Sequence, residues 1–536
     1  MSQFADTIIT NARVFTSVET NPYAEAVAIK GNRIVFVGSS EDVLSWKDSA
    51  TRLIGGNNRT LMPGFIDSHF HLLSGCETLG DAQLQDVKNK DELRNILQSH
   101  AQTNKTAAWI SGIGIKYKIV SNRQELDEII SDRPIYIEAY DGHTGWANSK
   151  ALEMAGILYH GKTTGPNGMI VKDDLGTATG ELREPDAINP VLKLVPQPDS
   201  ARKRELLKLG IRQINAAGVT SIHNMNGDME DLITYAALED SGEMSLRVYV
   251  PYSIRPHTTD DMLAEAAAMQ EIQGEYVRGG AVKFFMDGVW ESYTALNLEP
   301  YADNFDAKPA GIYSAEHFTR MATACDKLGL QIFVHCCGDG AVRRTLDGYA
   351  SLQKTNGRRD SRHRVEHIEV IHPADLPRFR ELGVIASMQP LHAPLSTNED
   401  DVWLARTGSQ RWERSFAWRD IKNAGARLAL GSDWTVASFK PMLGIHAALN
   451  RQKWQPSDPD QRLTLEEILV GYTRDAAYAE FQENQKGQLK EGFLADMVLL
   501  SADLFETPAE DIGMVKPLLT MVNGKIVYEE KIGLEN

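Results

Sequence analysis

The chain has 536 residues, of which 42% are apolar and 24% are charged, values typical of a globular protein rather than a disordered one. Its formal net charge of −17 would repel phosphate backbones and anionic lipid surfaces, so neither nucleic acid nor a membrane is an expected partner. The first residues contain no basic segment followed by an apolar run, and no stretch of about eighteen apolar residues occurs. These features predict a cytoplasmic enzyme with one large core and smaller additional units.

The four cysteines are too few and too unevenly spaced to indicate a disulfide framework or a CxxC zinc site. They are Cys76, Cys325, Cys336 and Cys337. We expect them to be small buried residues.

Both ends of the chain are rich in short β-type runs that are separated by glycine and asparagine. The Asn523-Gly524 pair predicts a tight hairpin turn. Half of a sandwich could not bury its own apolar face, so both ends are predicted to form one discontinuous β-sandwich domain from residues 1–60 and 485–536. Its predicted strands are residues 7–10, 26–29, 33–37, 495–500, 521–522 and 525–528.

Residues 61–484 alternate between strand-like and helix-like stretches, which predicts an α/β fold with a parallel sheet covered by helices. Eight strands complete a closed (β/α)₈ barrel, the TIM barrel. The gap after the first strand is too long for one crossover, so about residues 76–200 are predicted to be an insertion, with strands at 109–112 and 134–138. The predicted barrel strands are 65–71, 219–223, 246–251, 281–285, 331–335, 364–367, 384–388 and 428–432.

The first barrel strand contains two histidines, His69 and His71, whose side chains share one face because strand residues two apart point the same way. Pro63 and Gly64 mark the turn before this strand. A His-x-His pair by itself is a weak signal for a metal site.

Four further residues of ligand type lie at predicted strand ends, where barrel enzymes build their active sites. Lys283 lies in the fourth strand, His335 and His367 end the fifth and sixth, and Asp433 follows the eighth. A histidine in one such place is more often a hydrogen-bonded core residue, but the coincidence of all of them predicts a metal site. Imidazole and carboxylate ligands suit zinc, which makes hydroxide available by lowering the pKa of its water ligand towards about 7.

Asp433 is also a candidate catalytic residue. A carboxylate beside a reacting water takes its proton as attack begins and returns it to the leaving group. The alternative is that Asp433 caps the N-terminus of a helix.

Several motifs together resemble the amidohydrolase superfamily. The segment PGFIDSHFH at 63–71 resembles its opening signature, and GSD at 431–433 resembles its closing one. The other segments resemble one branch, amidohydrolase family 3, which contains N-substituted formamide deformylase and many uncharacterised metal-dependent hydrolases. They are GAVKFFMDG at 280–288, HCCGD at 335–339, RVEH at 364–367 and GQLKEGFLAD at 487–496.

The resemblance implies a metal site with one or two zinc ions. His69, His71 and Asp433 would bind one ion, and His335 and His367 the second. Lys283 would bridge the two ions, a role that requires carbamylation because an ammonium group has no lone pair to offer. The alternative is a single-metal site in which an unmodified Lys283 pairs with an acid such as Asp287.

The segment DGHTGWANS at 141–149 is similar to one that this branch places over the substrate. By resemblance, His143 would donate a hydrogen bond to the bound carbonyl and act in catalysis, and Trp146 would form a packing wall. An incidental histidine in a turn is the alternative. Trp290, with Trp403, Trp412 and Trp434, could line an apolar substrate pocket, although core packing is commoner for tryptophan.

The predicted function is hydrolysis of a C–N bond, other than a peptide bond, in an N-acyl or N-formyl amide of small size. The alternatives are a cyclic-amide hydrolase or deaminase of the same superfamily, and a non-catalytic barrel with a binding or regulatory role. No glutamate follows His335 closely, which disfavours a deaminase. Enzymes that resemble this branch are often dimers, so the resemblance implies a homodimer.

Overall fold

A computed structural model describes residues 4–140, 142, 144–165, 168–397 and 401–530. Its internal contacts divide the chain into two compact units. Residues 72–210 form one unit, and the chain on either side of this segment forms the other.

The larger unit contains eight parallel strands that neighbour one another in chain order, which confirms the predicted α/β barrel. Most strand limits lie within two residues of the prediction, but the fourth strand begins four residues earlier than predicted, at Val277. The barrel strands are Phe65–Phe70, Val219–Asn224, Arg247–Ser253, Val277–Phe285, Gln331–Cys336, Arg364–His367, Ile385–Met388 and Leu428–Leu430.

Helices follow the barrel strands as the alternating pattern predicts. The α-helices of this unit are Met229–Asp240, Asp260–Ala268, Ala315–Lys327, Asp339–Asn356, Leu376–Leu382, Val402–Thr407, Ser409–Trp412, Trp418–Asn423, Pro441–Asn450, Leu465–Gly471 and Arg474–Ala479. Its 3₁₀-helices are Asp42–Trp46, Met269–Glu271, Pro373–Asp375, Pro390–His392 and Ala509–Met514.

The eighth strand meets the first through the loop that follows it. The backbone N–H of Asp433 donates to the carbonyl of His69 at 2.8 Å, and the N–H of His71 donates to the carbonyl of Trp434 at 3.1 Å. These two bonds close the barrel at its C-terminal end. They also bring Asp433 to His69 in the first strand and to His71 directly after it.

Gly64 allows the first strand to approach the second. A Cβ atom at this position would lie 2.2 Å from the methyl carbon of Thr220, so any larger residue would push the two strands apart. The Pro-Gly turn therefore sets the entry of the histidine-bearing strand into the barrel.

The two chain ends form two small sheets. One has the order Arg33–Gly38, Ala26–Lys30, Thr7–Thr10, Arg52–Gly55, and the other has the order Lys525–Glu529, Pro517–Val522, Met497–Leu500, Thr60–Pro63, Arg13–Phe15, Tyr23–Ala24. Side chains of both sheets, among them Ile9 and Leu499, share one buried apolar cluster. A buried ion pair, Arg247 Nε to Asp496 Oδ2 at 2.7 Å, ties the C-terminal sheet to the third barrel strand.

Residues 72–210 build a sheet of their own, with the strand order Met169–Lys172, Ala178–Arg183, Thr144–Ala147, Ile135–Ala139, Ile110–Ile115, Ala82–Gln83. Its helices are Leu72–Thr78, Lys90–Thr103, Arg123–Ile129, Ser149–Met154 and Pro185–Leu192. The helix Ser200–Ala216 leads from this unit to the second barrel strand.

All four cysteines are free and buried, as predicted. Among the residues that the structure describes, no helix has the length and apolar character needed to cross a bilayer.

Candidate active site

His69 and His71 converge on one carboxylate oxygen at the C-terminal end of the barrel. The Nε2 of His69 lies 3.4 Å from Asp433 Oδ1, and the Nε2 of His71 lies 3.1 Å from the same oxygen. His69 is buried, whereas His71 is partly exposed. The structure thus brings together three of the predicted ligands from the two ends of the barrel sequence.

Asp433 is held in place by its backbone and by a neighbouring carboxyl group. Its φ of 59° turns the chain sharply after the eighth strand. Asp67 accepts the N–H groups of Ser432 at 2.9 Å and His69 at 3.1 Å, which fixes the closing loop against the first strand. The next helix begins at Pro441, so the interpretation of Asp433 as a helix cap is wrong.

The carboxyl group of Asp433 is ionised. Burial opposes its ionisation, but the surrounding histidines, His69, His71 and His367, hold its pKa well below the ordinary range. An ionised carboxylate is the form that binds a cation or accepts a proton.

The ring of His367 stands between those of His69 and His335. Its centroid lies 4.5 Å from that of His69 and 4.4 Å from that of His335. Burial lowers the pKa of His69 to about 4 and that of His335 to about 3. These imidazoles are therefore neutral at pH 7, as metal ligation requires.

Lys283 is buried in the fourth strand, and its Nζ has no hydrogen-bond partner among the described residues. The amine lies 4.2 Å from the centre of the Phe285 ring. Burial lowers the pKa of Lys283 to about 8, so an appreciable fraction of the amine is neutral near pH 7. A neutral amine is the form that reacts with CO₂.

Asp287 does not pair with Lys283 in the structure. Its carboxylate accepts three backbone N–H groups instead, those of Leu296 at 2.8 Å, Gly338 at 2.9 Å and Cys337 at 3.1 Å. Asp287 therefore anchors the loop after the fifth strand.

The residues present fit a divalent metal ion. The ligand atoms of His69, His367 and Asp433 all lie within 4.8 Å of one another, and all three residues are buried. The Nε2 atoms of His69 and His367 have no hydrogen-bond partner among the described residues. Buried polar atoms without a partner are costly, and a metal ion would satisfy these nitrogens.

The opposite nitrogen of His69 is held by Glu366. The His69 Nδ1 lies 2.8 Å from Glu366 Oε2, and Arg364 Nε donates to Glu366 Oε1 at 2.8 Å. Arg364 continues the network to His223 Nδ1 at 2.7 Å. Because a carboxylate only accepts, Nδ1 carries the proton and Nε2 keeps the lone pair that faces Asp433.

Replacing Glu366 with glutamine is expected to weaken metal binding by about 10- to 100-fold, the usual effect of losing a carboxylate behind a histidine ligand. Competition with a chromophoric chelator measures the affinity. Glu381→Gln, a change on the surface of helix Leu376–Leu382, serves as the control. Unchanged affinity in a folded Glu366→Gln protein would show that the carboxylate does not orient His69.

Two residues around His367 were missed by the sequence analysis. Gln389 Oε1 lies 2.9 Å from the Nδ1 of His367, and the ring of His392 stacks parallel to that of His367 at 5.8 Å. The Nε2 of His392 lies 3.7 Å from Asp433 Oδ2. The available signal was their place directly after the seventh strand, at the end of the barrel where active-site residues are found.

The tryptophans predicted to contact the substrate are buried in packed cores. His143 lies outside the described residues. Trp146 is buried in the core of the insertion, where its ring lies 5.7 Å from that of Tyr117. Trp290 is fully buried, and its indole N–H donates to the carbonyl of Cys337 at 3.2 Å. Trp403 is buried as well and donates to Glu369 Oε2 at 2.7 Å. In the structure, these tryptophans pack as core residues.

A profile of the amidohydrolase family matches residues 53–528 of this chain. Protein LONG AFTER FAR-RED 3 of Arabidopsis thaliana is 32% identical over 98% of this chain and 92% of the plant protein. N-substituted formamide deformylase of Arthrobacter pascens is 26% identical over 99% of both chains.

A solved structure shares the fold. The crystal structure of an uncharacterized metal-dependent hydrolase from Pyrococcus furiosus superimposes with a TM-score of 0.73 and 24% identity, over 92% of this chain and 98% of that one.

Proposed function

Because the chain belongs to the amidohydrolase family, we propose that this hydrolase uses a divalent metal to cleave the C–N bond of an N-acyl or N-formyl amide of small size. The observation that carries the proposal is the buried group of His69, His367 and Asp433, whose ligand atoms lie within 4.8 Å at the C-terminal end of the barrel. The deformylase activity named for the Arthrobacter relative supports an amide as substrate.

His69, His71 and Asp433 would hold one ion, and His335 and His367 would hold a second, bridged by a carbamylated Lys283. The nitrogen and oxygen ligands favour zinc. When bound, such an ion polarises the substrate carbonyl and supplies an activated water at neutral pH.

Asp433 is the residue that moves the proton. Its carboxylate is ionised and buried. His69 and His71 contact its Oδ1, whereas its Oδ2 lies 3.9 Å from His367 Nδ1. It accepts the proton of the attacking water and delivers it to the departing nitrogen, which leaves as a neutral amine.

The protein holds this carboxylate rigidly. The backbone bond from Asp433 N–H to the His69 carbonyl and the bonds that Asp67 accepts leave the closing loop little freedom. His392, whose Nε2 lies 3.7 Å from Asp433 Oδ2, borders the other side of the carboxylate. Rigid placement lowers the cost of reaching the geometry that proton transfer needs.

The test combines elemental analysis with a substrate panel. Protein purified without chelator is expected to contain about one to two equivalents of zinc or another transition metal. Metal-loaded protein is then assayed with N-formyl amines, N-acyl amines, N-acyl amino acids and cyclic ureas, and the double variant His69→Ala/His71→Ala serves as the metal-deficient control. Protein that binds no metal after reconstitution, or that cleaves none of these amides when loaded, would overturn the proposal.

A further inference from the structure

We infer that Arg255 binds a carboxylate group of the substrate, so that this enzyme acts on amides carrying an anionic group a few bonds from the scissile C–N bond. This inference rests on the proposed amide hydrolysis and deepens it. The residue lies just after the third barrel strand, at the end of the barrel where the metal-ligand group is found.

The backbone that carries Arg255 is fixed beside Lys283. The N–H of Ile254 donates to the carbonyl of Lys283 at 2.8 Å, and the hydroxyl of Tyr313 donates to the carbonyl of Ile254 at 3.0 Å. The N–H of Arg255 donates to Thr258 Oγ1 at 2.8 Å. The turn is therefore held on both sides, and it keeps the arginine next to the fourth strand.

The side chain of Arg255 shares an aromatic ring with the metal-site residues. Its guanidinium carbon lies 5.3 Å from the centre of the Phe285 ring, and Lys283 Nζ lies 4.2 Å from the same point. The ring of His335 lies 5.2 Å from that of Phe285. The Phe285 ring thus lies between Arg255 and the predicted metal ligands, and it contacts both.

The guanidinium of Arg255 has no carboxylate partner among the described residues, and the side chain is exposed. Two other arginines, which lie between the seventh and eighth barrel strands, are already paired. Arg406 is bonded to Asp303, and Arg414 NH1 lies 2.7 Å from Asp339 Oδ2. Arg255 is therefore able to accept an anionic ligand without losing an existing ion pair.

The chemistry of the guanidinium selects the ligand class. Its planar fork matches the two oxygens of a carboxylate, and stacking on Phe285 orients the fork. In an N-acyl amino acid, three bonds of about 1.5 Å each separate the scissile carbonyl carbon from the carboxylate carbon. A monoamide of succinic acid has the same separation, with the carboxylate on the acyl side.

The experiment compares matched charged and neutral amides. Metal-loaded wild-type protein is assayed with N-acetylglycine, with its neutral counterpart N-acetylglycinamide, and with succinamic acid, in parallel with Arg255→Met and Arg255→Lys. The control is Arg13→Met, because Arg13 is also exposed and lies over an aromatic ring, 4.8 Å from the centre of Tyr23 in a terminal sheet.

Wild type and Arg13→Met are expected to prefer a carboxylated amide over the neutral one. Arg255→Met is expected to lose about 10- to 100-fold of kcat/KM for the carboxylated amide only, because a hydrogen bond to a charged group contributes a free energy of that size. The loss is expected mainly in KM, with Arg255→Lys intermediate. Preference for N-acetylglycine or for succinamic acid identifies the side that bears the carboxylate. If the ratio of kcat/KM for the charged amide to kcat/KM for the neutral amide is the same in wild type and in Arg255→Met, the inference is overturned.

A calorimetric titration with N-acetylglycine separates this inference from the proposed function. Protein that cleaves no amide, but binds N-acetylglycine through Arg255, would overturn the hydrolase proposal and support the carboxylate site. Binding that Arg255→Met leaves unchanged would overturn the carboxylate site, whether or not the enzyme turns over.

Discussion

Replacing Asp433 with asparagine is expected to reduce kcat by about 10²- to 10⁴-fold, the contribution typical of a positioned general acid–base residue. Asparagine keeps the shape and one oxygen of the side chain, but its amide oxygen is too weakly basic to take a proton from water and return it to the leaving nitrogen. Much of the bound metal is expected to remain, because His69 and His71 still face the same point. Steady-state kinetics together with elemental analysis of the same samples measure both effects.

The control for this variant is Asp347→Asn, which changes an exposed carboxylate of helix Asp339–Asn356. It should match wild type in rate and metal content. Full activity in Asp433→Asn would remove Asp433 from the proton transfer. Loss of all metal from the variant would instead assign its main role to ligation.

Replacing Lys283 with alanine is expected to reduce the metal content from two equivalents to one and to lower kcat by at least about 10²-fold, the scale of losing a preorganised charge in an active site. Carbamylation joins Nζ to the carbon of CO₂ and releases one proton, so the bridge carries a negative charge that alanine cannot supply. The space left by the buried side chain should admit acetate or propionate, and either acid should restore part of the second equivalent.

Carbon-13 NMR of protein equilibrated with labelled bicarbonate tests the modification directly. Wild type should show one carbamate signal that Lys283→Ala lacks. Lys486 is an internal control for the effect of burial alone. It is buried as Lys283 is, but its Nζ is paired with Glu480 at 2.7 Å. A carbamate signal that persists in Lys283→Ala would come from another amine, and an absent signal in metal-loaded wild type would favour the single-metal alternative.

The barrel could be predicted from sequence because its strands are short apolar runs separated by helical stretches. Strand limits were less accurate where pairing extends beyond the apolar core. The fourth strand continues back to Val277 through Gly279 and Gly280, residues that weaken a strand signal. Gly279 pairs here with Val250 of the third strand, and the pairing register shifts at Gly280. The closing contact between Asp433 and His69 joins residues far apart in sequence, and local pattern alone cannot show it.

The candidate site was predicted as a list of strand ends. The structure brings His69, His71 and His367 to Asp433, and the ring of His335 lies 4.4 Å from that of His367. The network behind them was not predicted. Arg364 and Glu366 alternate with apolar residues inside a barrel strand, and only the barrel interior explains why both are fully buried. The metal itself, the roles of His143 and Trp146, the substrate and the homodimer remain predictions.

The closing loop has a thermodynamic consequence for the barrel as a whole. The two backbone hydrogen bonds that join the end of the first strand to the loop after the eighth lie beside the carboxylate and imidazoles that would share an ion. Occupancy of that site by a tightly bound ligand stabilises the folded state by mass action. The free energy of unfolding is therefore expected to rise with metal concentration, and the metal-free protein to be the less stable form.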